Sequence, residues 1–169
     1  MRIDLEKYVL EVDVEKTMTF HNGKNSEGCT CSGCRNFKKA MERVDRKIVS
    51  FFHFLGLEPE SVDSLTPLAI DRDNIMGYVG EYHLCGEIIG GSNWPRRTLD
   101  ENNAWHKTPG NNLFNDPEVI YLSKKFRVTF SDDPMDVDRD FPKPAIALEI
   151  SVELPWVLDL LEAEEYRYE

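Results

Sequence analysis

A chain of 169 residues suffices for one domain with its own core and needs no disulfide or metal staple to fold. With 41% hydrophobic and 11% aromatic residues it reads as a packed globule, which excludes disorder over most of its length. Thirty-one acidic residues against 20 basic ones leave a formal charge of -11, which disfavours nucleic acid and anionic membrane surfaces and favours a basic protein partner.

The opening stretch, Met1 to Tyr8, lacks the apolar run of about seven residues that a secretion signal needs. No later stretch offers about 18 uncharged apolar residues in succession, so a cytoplasmic location is expected. In such a reducing compartment the four cysteines are expected to serve metal binding or thiol chemistry rather than a disulfide framework.

From Tyr8 to Phe20 apolar residues (Tyr8, Leu10, Val12, Val14, Met18, Phe20) alternate with polar ones, interrupted only by Lys16. This predicts one long strand, or a strand with a bulge near Lys16. His21 to Gly28 is turn chemistry centred on Asn22-Gly23. Three thiols then follow within six positions, Cys29-Thr-Cys31-Ser-Gly-Cys34, with Ser32 or Asn36 as candidate cap of the next helix.

Phe37, Met41, Val44, Ile48, Phe51, Phe52 and Leu55 recur at steps of three and four opposite a basic face. This predicts one amphipathic helix over 37–55, ended by Gly56 as a left-handed cap. Leu57 to Ile70, with Pro59 and Pro67, reads as a connector. Asn74 to Ile89 alternates again and predicts a strand carrying Glu81, His83, Cys85 and Glu87 on one face. Gly77, Gly80 and Gly86 mark a bulge or a close backbone approach.

Residues 90–117 form a long polar stretch holding Trp94 and Trp105 beside basic residues, and suit a surface or recognition loop. One strand is expected within 118–130, an acidic loop over 131–143, and another strand over 146–154 stopped by Pro155. A terminal helix over 156–165 precedes a frayed tail, 165–169. Strands apolar on one side and polar on the other belong to an antiparallel sheet. The chain 1–169 is therefore expected to be a single α+β domain. Its sheet would have at least four strands, covered on one face by one long amphipathic helix and a short C-terminal helix.

The cysteine cluster is the strongest chemical signal. Cys-x-Cys and Cys-x-x-Cys spacings let the sulfurs of one loop converge on a single ion, so Cys29, Cys31 and Cys34 are candidate zinc ligands. A fourth ligand is expected from Cys85 or His83, with His21 as the local alternative. The competing reading is a thiol-disulfide oxidoreductase using Cys31 and Cys34 just before a helix, where the helix dipole favours thiolate. Against it, the turn before the cysteines is long, no tryptophan precedes the first of them and the strands read antiparallel.

Other constellations are weaker. Asp136-x-Asp138-x-Asp140 begins like a calcium loop, but Phe141 stands where glycine is needed and Ala147 where a bidentate glutamate is needed, so a solvated loop is expected. Glu81, His83 and Glu87 on one strand face suit acid-base work without a recognisable nucleophile. Tyr121, Arg127, Glu81 and His83 would together offer a ligand-binding sheet face.

Cys-x-Cys-x-x-Cys-x-Asn-Phe, the helix ending Phe54-Leu55-Gly56 and Tyr82-His83-Leu84-Cys85-Gly86-Glu87 together resemble a group of uncharacterised bacterial proteins. That resemblance implies a bacterial origin and brings no activity or ligand. The expected function is a non-enzymatic binding protein with a structural zinc site, in one version an inhibitor or immunity-type protein toward a basic partner.

Overall fold

The computed structural model describes residues 1–5, 7–24, 29–91, 97–99, 105–107 and 119–167, and of 97–99 and 105–107 only the backbone. It is a mixed α+β structure built on a seven-stranded antiparallel sheet. The strands are β1 (Arg2–Asp4), β2 (Tyr8–Val12), β3 (Ser64–Ile70), β4 (Ile75–Gly91), β7 (Ile120–Ser123), β8 (Phe126–Ser131) and β9 (Ala145–Pro155). They run in the order β1-β2-β4-β9-β8-β7, with β3 also paired to β4. Two short strands, β5 (Arg97–Leu99) and β6 (Trp105–Lys107), pair with each other. Trp94 and the rest of the expected recognition loop lie outside the described residues.

The strands β4 and β9 follow the alternation seen in sequence and pair over eleven registered positions, Ile75↔Pro155 to Cys85↔Ala145. Several other elements depart from it. The strand expected over 8–20 ends at Val12, and helix α1 (Val14–Gly23) begins there because Asp13 accepts the Lys16 amide at 3.1 Å and caps it. A period of two fits Val14, Met18 and Phe20, and a period of 3.6 fits Val14, Thr17 and His21; the cap decides. The single helix expected over 37–55 is two, α2 (Ser32–Met41) and α3 (Arg46–Phe54). Asp45 starts the second by accepting the Lys47 amide at 2.7 Å.

The connector 57–70 contains β3, an edge strand paired with β4, the setting in which Pro67 is tolerated although it supplies no ladder donor. The strand expected within 118–130 is a tight hairpin of β7 and β8 turning at Lys124-Lys125. The terminal helix is a 3-10 helix, Leu160–Tyr166. At its end Glu165 bonds Ser32, and the Tyr166 hydroxyl accepts the Gly33 amide at 3.1 Å. Gly56 closes α3 with φ +79°, as expected, and a Cβ there would lie 2.7 Å from the Val14 carbonyl.

One sheet face carries the core, where Phe37 of α2 meets Tyr78 and Phe52 of α3 meets Tyr82 and Phe126, with ring centroids 4.9–5.8 Å apart. Asn36 does not cap α2. It is buried, donating to the Tyr78 hydroxyl and the Pro155 carbonyl and accepting the Val157 amide, so it ties α2 to the end of β9. The centre of the opposite face, expected to be half exposed, is buried too: Glu81, His83, Thr129, Ser131 and Ser151 are all at most 5% exposed.

Along one edge of β4, β3 pairs only as far as Glu81 and β2 only from Gly86. The backbone groups between them are met by other donors and acceptors. The Asp63 carboxylate accepts the His83 amide at 2.8 Å and the His21 ring donates to the His83 carbonyl at 3.0 Å. The Thr17 hydroxyl accepts the Cys85 amide at 3.0 Å, and the Asp13 amide donates to the Cys85 carbonyl at 2.8 Å. Helix α1 thus stands in for a missing strand, presenting Asp13, Thr17 and His21 at a spacing of four. Among the described residues no helix is long and apolar enough to cross a membrane.

Thr17 is fully buried, so Thr17→Val would leave the Cys85 amide without an acceptor. The expected cost is about 1–3 kcal/mol, read as a lower urea midpoint, whereas Thr17→Ser keeps the hydroxyl and should lose less.

Candidate metal centre

Cys29, Cys31 and Cys34 converge because the chain enters α2 through them. Cys31 is the N-cap, with extended backbone (φ -61°, ψ 156°), and its sulfur accepts the Cys34 amide at 3.4 Å across the first turn. Neither Ser32 nor Asn36 takes that place; a thiol does, a choice absent from the usual capping preferences. Gly33 is required between them, since a Cβ would sit 2.8 Å from Pro67 of β3 and from the Tyr166 hydroxyl. The three sulfurs lie within 4.8 Å of one another, Cys29 exposed, Cys31 half-buried and Cys34 buried. Zinc at about 2.3 Å from each thiolate in tetrahedral geometry needs sulfurs about 3.8 Å apart, so the cluster closes on an ion with adjustments of about 1 Å.

The thiols differ sharply in acidity. Burial works against ionisation of Cys31, but the Cys34 amide, the neighbouring thiols and the Tyr166 hydroxyl outweigh it and bring its pKa down to about 7. Burial, reinforced by hydrogen bonding and charge from Cys31 and Cys29, pushes Cys34 up to about 12. One sulfur is ready as a thiolate and another is held neutral unless a cation compensates it.

Beside the cluster is a cavity of about 340 Å³ whose walls include His21 and Lys24 at the end of α1, Cys29, Cys34 and Phe37, and Asp63 just before β3. Asp63 is almost wholly enclosed. Its carboxylate takes the His83 amide and pairs with Lys24 at 3.0 Å, and the His21 ring is 3.8 Å away.

The other two expected ligands stand elsewhere. Among the described residues the ligand group comprises the three clustered cysteines alone, and neither His83 nor Cys85 joins it. The His83 ring is occupied: Nε2 lies 3.0 Å from the Met135 carbonyl and 3.1 Å from Glu81, and Nδ1 faces Asp63 at 3.8 Å. Cys85 lines a separate hollow with Val12, Asp13, Lys16 and Lys143, and burial raises its pKa. Sharing a face with His83 in sequence therefore did not bring Cys85 to the cluster. Nor do Tyr121, Arg127, Glu81 and His83 form one open binding face, since Tyr121 is exposed while Glu81 and His83 lie under Met135. Glu87 is exposed, and Asp136, Asp138 and Asp140 are solvated as expected. Asp63 and Tyr166 were missed because each acts on partners far along the chain.

No protein-family model, curated protein or solved structure matches this chain. The chemistry of the site rests on its own residues.

Burial of His83 opposes its protonation, but the hydrogen bond to Glu81 and the charge of Asp63 more than offset this, so its pKa is raised. A raised folded pKa adds stability that is full below the ordinary histidine value and is lost as pH rises through the folded one. The denaturation midpoint should accordingly fall as pH rises above the ordinary histidine value of about 6.5, and His83→Gln should flatten that fall. An unchanged slope in the variant would assign the dependence to other groups.

Proposed function

We propose that this is a zinc-binding protein in which Cys29, Cys31 and Cys34 hold the ion as thiolates, and that the ion is structural within a non-enzymatic binding protein. The carrying observation is the convergence of three sulfurs to within 4.8 Å around the start of α2. Thiolate sulfur is the ligand type zinc prefers, and a divalent charge offsets the cost of ionising the buried Cys34. Such an ion would fasten the cysteine loop where Ser32 and Gly33 already hold Glu165 and Tyr166. The formal charge of -11 supports a basic protein as the partner, through an association that weakens with salt.

Protein purified without added metal or chelator should carry about one zinc per chain, with its clustered thiols reacting only after a chelator is added. Absence of metal together with freely reactive thiols would sink the zinc reading.

A specific pattern favours a second reading, thiol-disulfide exchange by Cys31 and Cys34. A cap thiol with pKa about 7 beside a buried thiol at about 12 is the asymmetry of an attacking and a resolving cysteine. If that reading holds, alkylation of metal-free protein should follow a titration near pH 7 that Cys31→Ser abolishes, and a disulfide substrate should be turned over. Titration near pH 7 without turnover would leave the low pKa as a property of the metal-free ligand alone.

A further inference from the structure

We infer that the fourth ligand of the site is His21, binding through Nδ1, so that a metal ion bridges the cysteine loop and the end of α1 across the intervening cavity. This rests on the zinc reading above and assigns it a complete ligand set of three thiolates and one imidazole, the composition of a closed structural site.

The tautomer supplies the main reason. His21 Nε2 lies 3.0 Å from the His83 carbonyl, and a carbonyl can only accept, so Nε2 carries the proton. In the neutral ring Nδ1 then holds the lone pair. Among the described residues Nε2 is the ring nitrogen with a hydrogen-bonding or ion-pairing partner, and Nδ1 has none. The side chain is 6% exposed and lines the cavity, so Nδ1 keeps its acceptor free without being sealed from solvent. A histidine that ligates a metal characteristically donates its other ring nitrogen to a backbone carbonyl or a carboxylate, and His21 has the first at 3.0 Å and the second, Asp63, at 3.8 Å.

Position supplies the second reason. His21 lines the same cavity as Cys29 and Cys34. The alternatives in that wall are weaker. Asp63 already receives the His83 amide and Lys24, and Glu60 is an exposed carboxylate where the neighbouring sulfurs favour a borderline-soft ion and an imidazole. His21 stands outside the group of sulfurs within 4.8 Å, so binding must draw the exposed Cys29 lead and the end of α1 together. Metal would then couple α2 to the β4 edge through the His83 carbonyl.

X-ray absorption at the zinc edge of the loaded full chain tests this. Wild type should show three sulfurs and one nitrogen with imidazole scattering. His21→Gln, whose amide can still donate to the His83 carbonyl, should lose that scattering. In chelator competition it should bind zinc at least tenfold more weakly, the lower bound set by loss of a mere supporting partner. A wild-type shell without imidazole, or His21→Gln with unchanged shell and affinity, would overturn the assignment while leaving the zinc reading intact. Failure of wild type to take up zinc would remove both. Should the variant not fold, the nitrogen chemical shifts of the His21 ring in zinc-loaded wild type decide the same question, with a metal-induced change expected at Nδ1 and its absence refuting the proposal.

Discussion

The edge of β4 between residues 81 and 86 is the constraint on which the rest depends. A buried strand must satisfy its amides and carbonyls, and here neither neighbouring strand reaches them. The solution is mixed: a carboxylate from the end of a connector, and a cap amide, a hydroxyl and an imidazole from one helix. Because those last three come from Asp13, Thr17 and His21, the direction and rotation of α1 about its axis are set by hydrogen bonding to β4. Glycine serves the same junction, since a Cβ at Gly86 would lie 2.3 Å from the Glu11 carbonyl and would hold β2 away from β4.

That arrangement has chemical consequences a helical turn away. Fixing His21 on the His83 carbonyl points the end of α1, with Lys24, toward the start of α2, where the cysteines gather. The acidic chain thus keeps two lysines, Lys24 and Lys38, on the cavity wall beside Cys29 and Cys34. The C-terminal segment closes the other side, with Arg35 paired to Glu162 and the Tyr166 hydroxyl at the Gly33 amide.

The polar sheet face is buried rather than solvated, and its charges are paired. Glu81 accepts the Met135 amide at 2.7 Å, His83 reaches the Met135 carbonyl, and the Phe141 ring lies on those of His83 and Phe20. A half of the acidic segment that reads as solvent-facing therefore contributes backbone and one aromatic ring to the interior. Its aspartates at 136, 138 and 140 remain outside.

By itself the sequence determined the α+β class, the long strands β4 and β9, the left-handed stop at Gly56 and a cluster of three cysteines able to hold a metal ion. Each of these is a local matter, fixed by side-chain period, by one glycine or by spacing within six residues. The tertiary structure alone decided that a strand gives way to a helix at Asp13, that one amphipathic stretch breaks at Asp45, and that Pro67 lies in an edge strand. It also decided that His83 and Cys85 stand apart from the cluster while His21 lines the cavity beside it. The reason is physical: period reports which side of an element is buried, whereas the β4 edge is satisfied by groups such as His21 and His83, 62 positions apart, which no local pattern relates.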